Sequence, residues 1–124
     1  MNNIRIQNPI FGPGKNLIHN LADIFVLPSI DEGFALAPLE AMACAKPVIM
    51  NKSHSASEAV SDNLNGYLCK INDENDWVEK INRLIEDVRL RKKMGKASLD
   101  KTLKEFQWDK SVDKHLQVLK SLRP

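Results

Sequence analysis

No apolar run in this chain reaches the roughly 18 residues that a membrane-crossing helix requires. The opening residues, Met1-Asn2-Asn3-Ile4-Arg5, lack the apolar stretch of a secretory signal. Cysteine is scarce: Cys44 and Cys69 sit in apolar contexts without metal-type spacing, and they read as buried, reduced thiols of a cytoplasmic protein. The net charge is only +2, which gives no reason to expect a nucleic-acid partner. No P-loop, nucleophile–base arrangement, internal repeat or low-complexity segment is present. His19 and His115 lack a carboxylate or second histidine at ligand spacing and read as ordinary helix residues. The residues imply no metal and no cofactor.

What is there is ordinary globular material, 43% hydrophobic and 27% charged. At 124 residues the chain is one domain or part of one. A chain of this size buries roughly 65% of its unfolded surface, enough for a core.

The first 70 residues read as βα units. Ile4-Arg5-Ile6-Gln7 is a short strand candidate, and Asn8 to Gly14 is a loop by its prolines and glycines. Lys15 to Ala22 is a short helix with Leu17, Ile18 and Leu21 on one face. Asp23 to Leu27 is a continuous apolar run, as for a strand covered on both faces. A helix comes next over Leu39 to Cys44, then a strand over Pro47 to Met50. Asn51 to Ser57 reads as a polar loop and Ser57 to Val60 as one helical turn. Asp62 to Gly66 is a turn, and Gly66 to Lys70 the next strand. Strands joined by helices imply right-handed crossovers and a parallel sheet.

Residues 71–124 read as helical. Asp73 is an N-cap, with Asp76 three residues later. Trp77, Val78, Ile81, Leu84 and Ile85 then recur at helical spacing. Asp87 starts a second helix with Val88, Leu90 and Met94 inward, which Gly95 either ends or weakens. A third runs from Trp108 to Leu122. Trp77, Phe106 and Trp108 read as core, and the basic run Arg89 to Lys104 as a solvated face with at most peripheral membrane contact.

Glu32 and Glu40 carry the chemistry. They bracket Gly33-Phe34-Ala35-Leu36-Ala37-Pro38-Leu39, between a strand and a helix. The crevice at the carboxyl end of a parallel strand is where α/β folds bind ligands. A helix start offers free N–H groups and partial positive charge, which suit phosphate. Gly33 removes a side chain, so a ligand can approach the backbone. An ionised carboxylate only accepts hydrogen bonds, so it suits vicinal hydroxyls. A nucleotide sugar combines both kinds of group. A helix cap at Glu32 and a solvated Glu40 are the bland alternative.

Asp23-Ile24-Phe25-Val26-Leu27-Pro28-Ser29, Glu32-Gly33-Phe34, Pro38-Leu39-Glu40-Ala41-Met42-Ala43-Cys44 and Pro47-Val48-Ile49 form one specific block. It resembles the donor-binding half of retaining GT-B glycosyltransferases of family 4 (glycosyl transferases group 1). The likeness continues through Glu58-Ala59-Val60, Asn65-Gly66-Tyr67-Leu68, Arg91-Lys92-Lys93-Met94-Gly95 and Phe106-Gln107-Trp108. It implies a Rossmann-like parallel sheet with flanking helices, a truncated half of a GT-B enzyme. By position, Glu32 would contact the donor sugar as the catalytic-site acid. Gly33, Phe34, Ala35 and Leu36 would line sugar and phosphate, and Glu40 would hold the ribose hydroxyls. The reaction implied moves a hexose from a nucleotide diphosphate sugar to an acceptor with retention. Such enzymes need no catalytic metal, and no Asp-x-Asp motif is present.

Departures from the family accompany the likeness. On that likeness, the acceptor-binding N-terminal domain is expected to lie outside these residues, as are the basic Arg and Lys that neutralise the diphosphate; Lys15 has no claim to replace them by position. Ala35 stands where glycine is common, and His54-Ser55 where a Gly-Gly pair is common on the phosphate-side loop. In a 3-2-1-4-5-6 sheet, Ile4–Gln7 would match strand three, and strands one and two would be absent beside strand four. Either the first strand shifts beside strand four or two chains pair across that edge as a homodimer. Three functions fit: the donor-binding part of a transferase acting with a separate N-terminal half, a non-catalytic nucleotide-binding or interaction module, and an inactive fragment.

Overall fold

Val48, Ile49, Met50 and Asn51 are all buried, and they form the central strand of a three-stranded parallel sheet. The computed structural model describes residues 3–30, 33 and 35–121. In chain order the elements are α1 (Pro13–Leu21), β1 (Phe25–Leu27), α2 (Leu36–Ala43), β2 (Val48–Asn51), α3 (His54–Ala59), β3 (Gly66–Cys69), α4 (Glu74–Glu86), α5 (Val88–Glu105) and α6 (Trp108–Ser121). β1 pairs with β2 in the register Val26 to Ile49, and β2 with β3 in the register Ile49 to Tyr67. The fold is therefore the expected α/β one, a Rossmann-like parallel sheet with flanking helices.

The alternation of β2 sends its side chains into two cores. Val48 and Met50 pack with Leu68, with Ala41 and Met42 of α2, and with Ala56 and Ala59 of α3. Ile49 packs on the other face with Tyr67, Cys69, Leu84 of α4 and Met94 of α5. Burial on both faces is why β2 and β3 read as unbroken apolar runs.

β1 departs from that reading. Val26 is 40% exposed, so the strand is not covered on both faces. Residues 3–10 form no strand, and Ile4 and Ile6 are almost fully exposed. The expected first strand, and its shift beside β1, are thus corrected: a strand exists only when its backbone groups are paired, and among the described residues nothing pairs with that edge of β1. The apolar face of α1 likewise stays open, with Leu17 and Leu21 exposed.

Caps set the helix boundaries. Gly12 at φ 64° precedes Pro13, which opens α1 inside the expected loop. Ser53 Oγ accepts from the Ala56 N–H at 3.1 Å, so α3 starts at His54 instead of Ser57. Asn51, read as loop, belongs to β2. Asp73 caps α4 through the Asp76 N–H at 3.1 Å, and Asp87 caps α5 through the Leu90 N–H at 2.9 Å. α5 runs straight through Gly95. Along its basic run, Arg91 donates to the carbonyls of Leu84 and Ile85, and Lys101 to Ser61 Oγ, so that face is only partly solvated. Trp77 and Phe106 pack half-buried on the two cores. Trp108 does not: it is 81% exposed, which corrects its assignment to the core.

Candidate functional site

β1 delivers the chain to the crevice, and Asn51 anchors the segment beyond it. The Asn51 Nδ2 donates to the carbonyls of Pro28 at 2.7 Å and Ser29 at 3.1 Å. The end of β2 thereby holds the exit of β1 in place. The chain then turns into α2, whose N-cap is Ala35 in extended conformation (φ −74°, ψ 127°). An alanine carries no strain there, so the glycine common in the family is not required at this position.

No side chain caps α2, and its first turn holds no acid. Pro38 has no N–H, but Leu36 and Ala37 present theirs at the positive end of the helix. Space around Gly33 is open: a Cβ there would meet nothing within 4 Å. Ala35 is half-buried and Leu36 exposed. Glu32 and Phe34 lie outside the described residues.

Glu40 stands one turn further into α2, with its side chain 34% exposed. It faces α1. Lys15 Nζ lies 3.1 Å from Glu40 Oε1 and 3.3 Å from Oε2. His19 Nε2 lies 3.7 Å from Oε2. Lys15 and His19 are four residues apart, so α1 presents both on one face. The His19 ring also tilts against Phe25 of β1, with ring centroids 5.7 Å apart. Sequence reasoning set both residues aside. The i, i+4 pair of bases was visible, but its carboxylate partner lies 25 residues further along the chain.

A groove of about 670 Å³ adjoins the start of α2. Leu36 and Leu39 line one wall, Phe106 and Trp108 another, with Glu58 and Lys114 at polar positions. Its size is that of a small-molecule site. His54 and Ser55, expected on a phosphate-side loop, instead open α3; His54 is exposed and Ser55 Oγ lies 3.2 Å from Ser53 Oγ.

Cys69 offers no nucleophile. Burial pushes its thiol up to about 11, so it stays protonated at neutral pH. Among the described residues, no three His, Cys, Asp or Glu side chains group to hold a metal ion.

A parallel α/β sheet whose strand β1 runs into an uncapped helix, with an acid one turn inside, is an arrangement of Rossmann type. Residues 12–101 match the family described as Glycosyl transferases group 1, and the chain belongs to that family. It is 42% identical over 87 residues to an uncharacterized glycosyltransferase of Methanocaldococcus jannaschii, covering 70% of this chain and 24% of that protein. Among solved structures it resembles the C-terminal domain of a glycosyl transferase group 1 family protein from Francisella tularensis. That match has a TM-score of 0.68 and 33% identity, over 73% of this chain and 47% of that one. It also resembles the Anabaena protein HepE in complex with UDP-glucose, with a TM-score of 0.82 and 25% identity over 90% of this chain and 31% of that one. The chain spans about a quarter of the length of the curated relatives it matches.

Proposed function

We propose that this chain is the donor-binding part of a retaining GT-B glycosyltransferase of family 4, which moves a hexose from a nucleotide diphosphate sugar to an acceptor. The observation that carries this reading is the place of Glu40. The residue at the family's second acidic position stands half-buried one turn inside a helix that no side chain caps. A carboxylate there suits the ribose hydroxyls, and the N–H groups of Leu36 and Ala37 suit the diphosphate. Glu32 takes the donor sugar in this reading, and Gly33, Phe34, Ala35 and Leu36 line the turn between sugar and phosphate.

The bound UDP-glucose of the Anabaena neighbour supports a uridine diphosphate sugar as one donor to test. Residues 1–124 then form one partial nucleotide-sugar-binding domain, with βα units to residue 70 and a helical part from 71. The acceptor site belongs to an N-terminal half that acts with it. Free Cys44 and Cys69 fit a reducing compartment such as the cytoplasm.

Calorimetry with UDP, GDP and ADP tests the reading. One of the three binds, and Glu40→Ala weakens it by about 1.5–3 kcal/mol. If none binds, or if the variant keeps full affinity, Glu40 does not hold a nucleotide.

A further inference from the structure

Lys15 stands where a ligand hydroxyl would stand. Its ammonium spans both oxygens of Glu40, at 3.1 and 3.3 Å. A vicinal diol bound by a carboxylate uses those same two oxygens. A bidentate diol and the ammonium therefore compete for the same position between the two oxygens. Magnitudes decide which yields. The Lys15 and Glu40 side chains are 42% and 34% exposed, and a pair this exposed contributes a factor of about five or less. Hydrogen bonds from a diol to a carboxylate contribute roughly 10- to 150-fold. The diol displaces the ammonium.

The displaced ammonium has a destination. Glu40 lies four residues along α2 from Leu36, about 6 Å along the helix axis at 1.5 Å per residue. A diphosphate joined to the ribose and resting on the N–H groups at the start of α2 falls within the sweep of a lysine stem. Lysine suits such an exchange, since its compact charge sits on a flexible chain and needs no fixed fork geometry. His19, 3.7 Å from Glu40 and held against Phe25, stays beside the carboxylate.

Resting on the donor-binding reading, we infer that Lys15 is an exchangeable counter-ion, paired with Glu40 in the free chain and passed to the diphosphate when ribose hydroxyls take Glu40. It thereby sets the preference for nucleoside diphosphates over nucleosides. The rival cation is Lys114, which lines the groove beside Leu36 and Leu39.

Calorimetry on the intact chain compares UDP with uridine, GDP with guanosine and ADP with adenosine. In the wild type the diphosphate of the preferred base binds more tightly than its nucleoside. Lys15→Met lowers diphosphate affinity about tenfold and leaves the nucleoside unchanged or up to about fivefold tighter. Lys15→Arg restores most of the preference. Equal losses for nucleoside and diphosphate, or no change in either, overturn the exchange while leaving donor binding intact. So does a loss of preference in Lys114→Met but not in Lys15→Met. A wild-type chain that binds none of the six probes refutes the donor-binding reading itself, and this role with it.

Discussion

A side chain on Gly95 would collide with the carbonyl oxygen of Ala45. α5 therefore crosses the end of α2 backbone to backbone, and only hydrogen at position 95 allows it. Glycine inside a helix costs about 1 kcal/mol relative to alanine, so its presence here reflects close packing. Gly95→Ala is expected to destabilise the fold by about 1–3 kcal/mol through overpacking. Urea unfolding reads this as a lower midpoint at unchanged slope. A midpoint equal to or above the wild type would show that α5 can step away from α2 freely.

Ala45 itself carries a strain that can be removed. Its φ is 56°. The Ala45 N–H donates to the Met42 carbonyl at 2.9 Å and the Lys46 N–H to the Ala41 carbonyl at 3.1 Å, which is a Schellman end to α2. An alanine in the left-handed region costs about 1–2 kcal/mol, and glycine returns part of that gain through a looser unfolded chain. Ala45→Gly should raise stability by about 0.5–1 kcal/mol, read from the same urea midpoint. A loss of stability would mean that the Ala45 methyl packs more than it strains.

These two positions mark the border of what the sequence makes legible. Asp73 and Asp87 announce their helices because capping is local chemistry, complete within four residues. β2 and β3 are legible because burial on both faces selects apolar residues, and the one polar position of β2, Asn51, is the one that read as loop. Glu40 lies on α2, as the helical pattern from Leu39 onward indicates. Ile4–Gln7 misled because an apolar run has no means of showing whether a partner strand exists. Trp108 misled because helical spacing says nothing about which face meets a neighbour. The Lys15–Glu40 pair was invisible for a third reason: it is tertiary, made by two helices with a strand between them.

Asp76 and Lys80 make the stability depend on pH. Lys80 Nζ donates to Asp76 Oδ2 at 2.8 Å and to the Leu68 carbonyl at 2.9 Å, and Asp76 Oδ2 also accepts the Lys70 N–H at 2.7 Å. The bond from Lys80, then that from Lys70, holds the Asp76 carboxyl below its ordinary 3.8. A lowered carboxyl stabilises the fold above that value and loses the contribution as pH falls through the folded one. For Lys80, burial is the largest single effect and lowers the pKa, but the bond to Asp76 and the negative charges around it together outweigh burial, and the net shift is upward from 10.5. That contribution is present below 10.5 and fades as pH rises through the folded value. Asp76→Asn should therefore be less stable than the wild type at neutral pH, with the gap closing below about pH 3.8. Urea midpoints from about pH 3 to about pH 8 test this. A gap that stays constant into acid would assign the loss to packing instead of charge.

The two thiols should separate by reactivity. Cys69 is fully buried in β3 and belongs to the core that holds Ile49 and Leu84. Burial raises its pKa from 9.0 to about 11, against a smaller downward pull from Lys80. Cys44 sits half-exposed at the C-cap of α2. The thiolate is the reacting species, so at about pH 8 a thiol reagent should modify Cys44 promptly and Cys69 only when the sheet opens. For an opening energy near 5 kcal/mol that slows Cys69 by a factor of about 10³ or more. Cys44→Ser should remove the fast phase and leave the slow one. Because the folded value lies above the unfolded one, Cys69 also withdraws stability as pH rises from 9.0 toward about 11, and its labelling should accelerate there beyond what thiolate fraction alone predicts. Two fast phases near neutral pH would show that β3 opens readily, and the second core would then be far weaker than its packing implies.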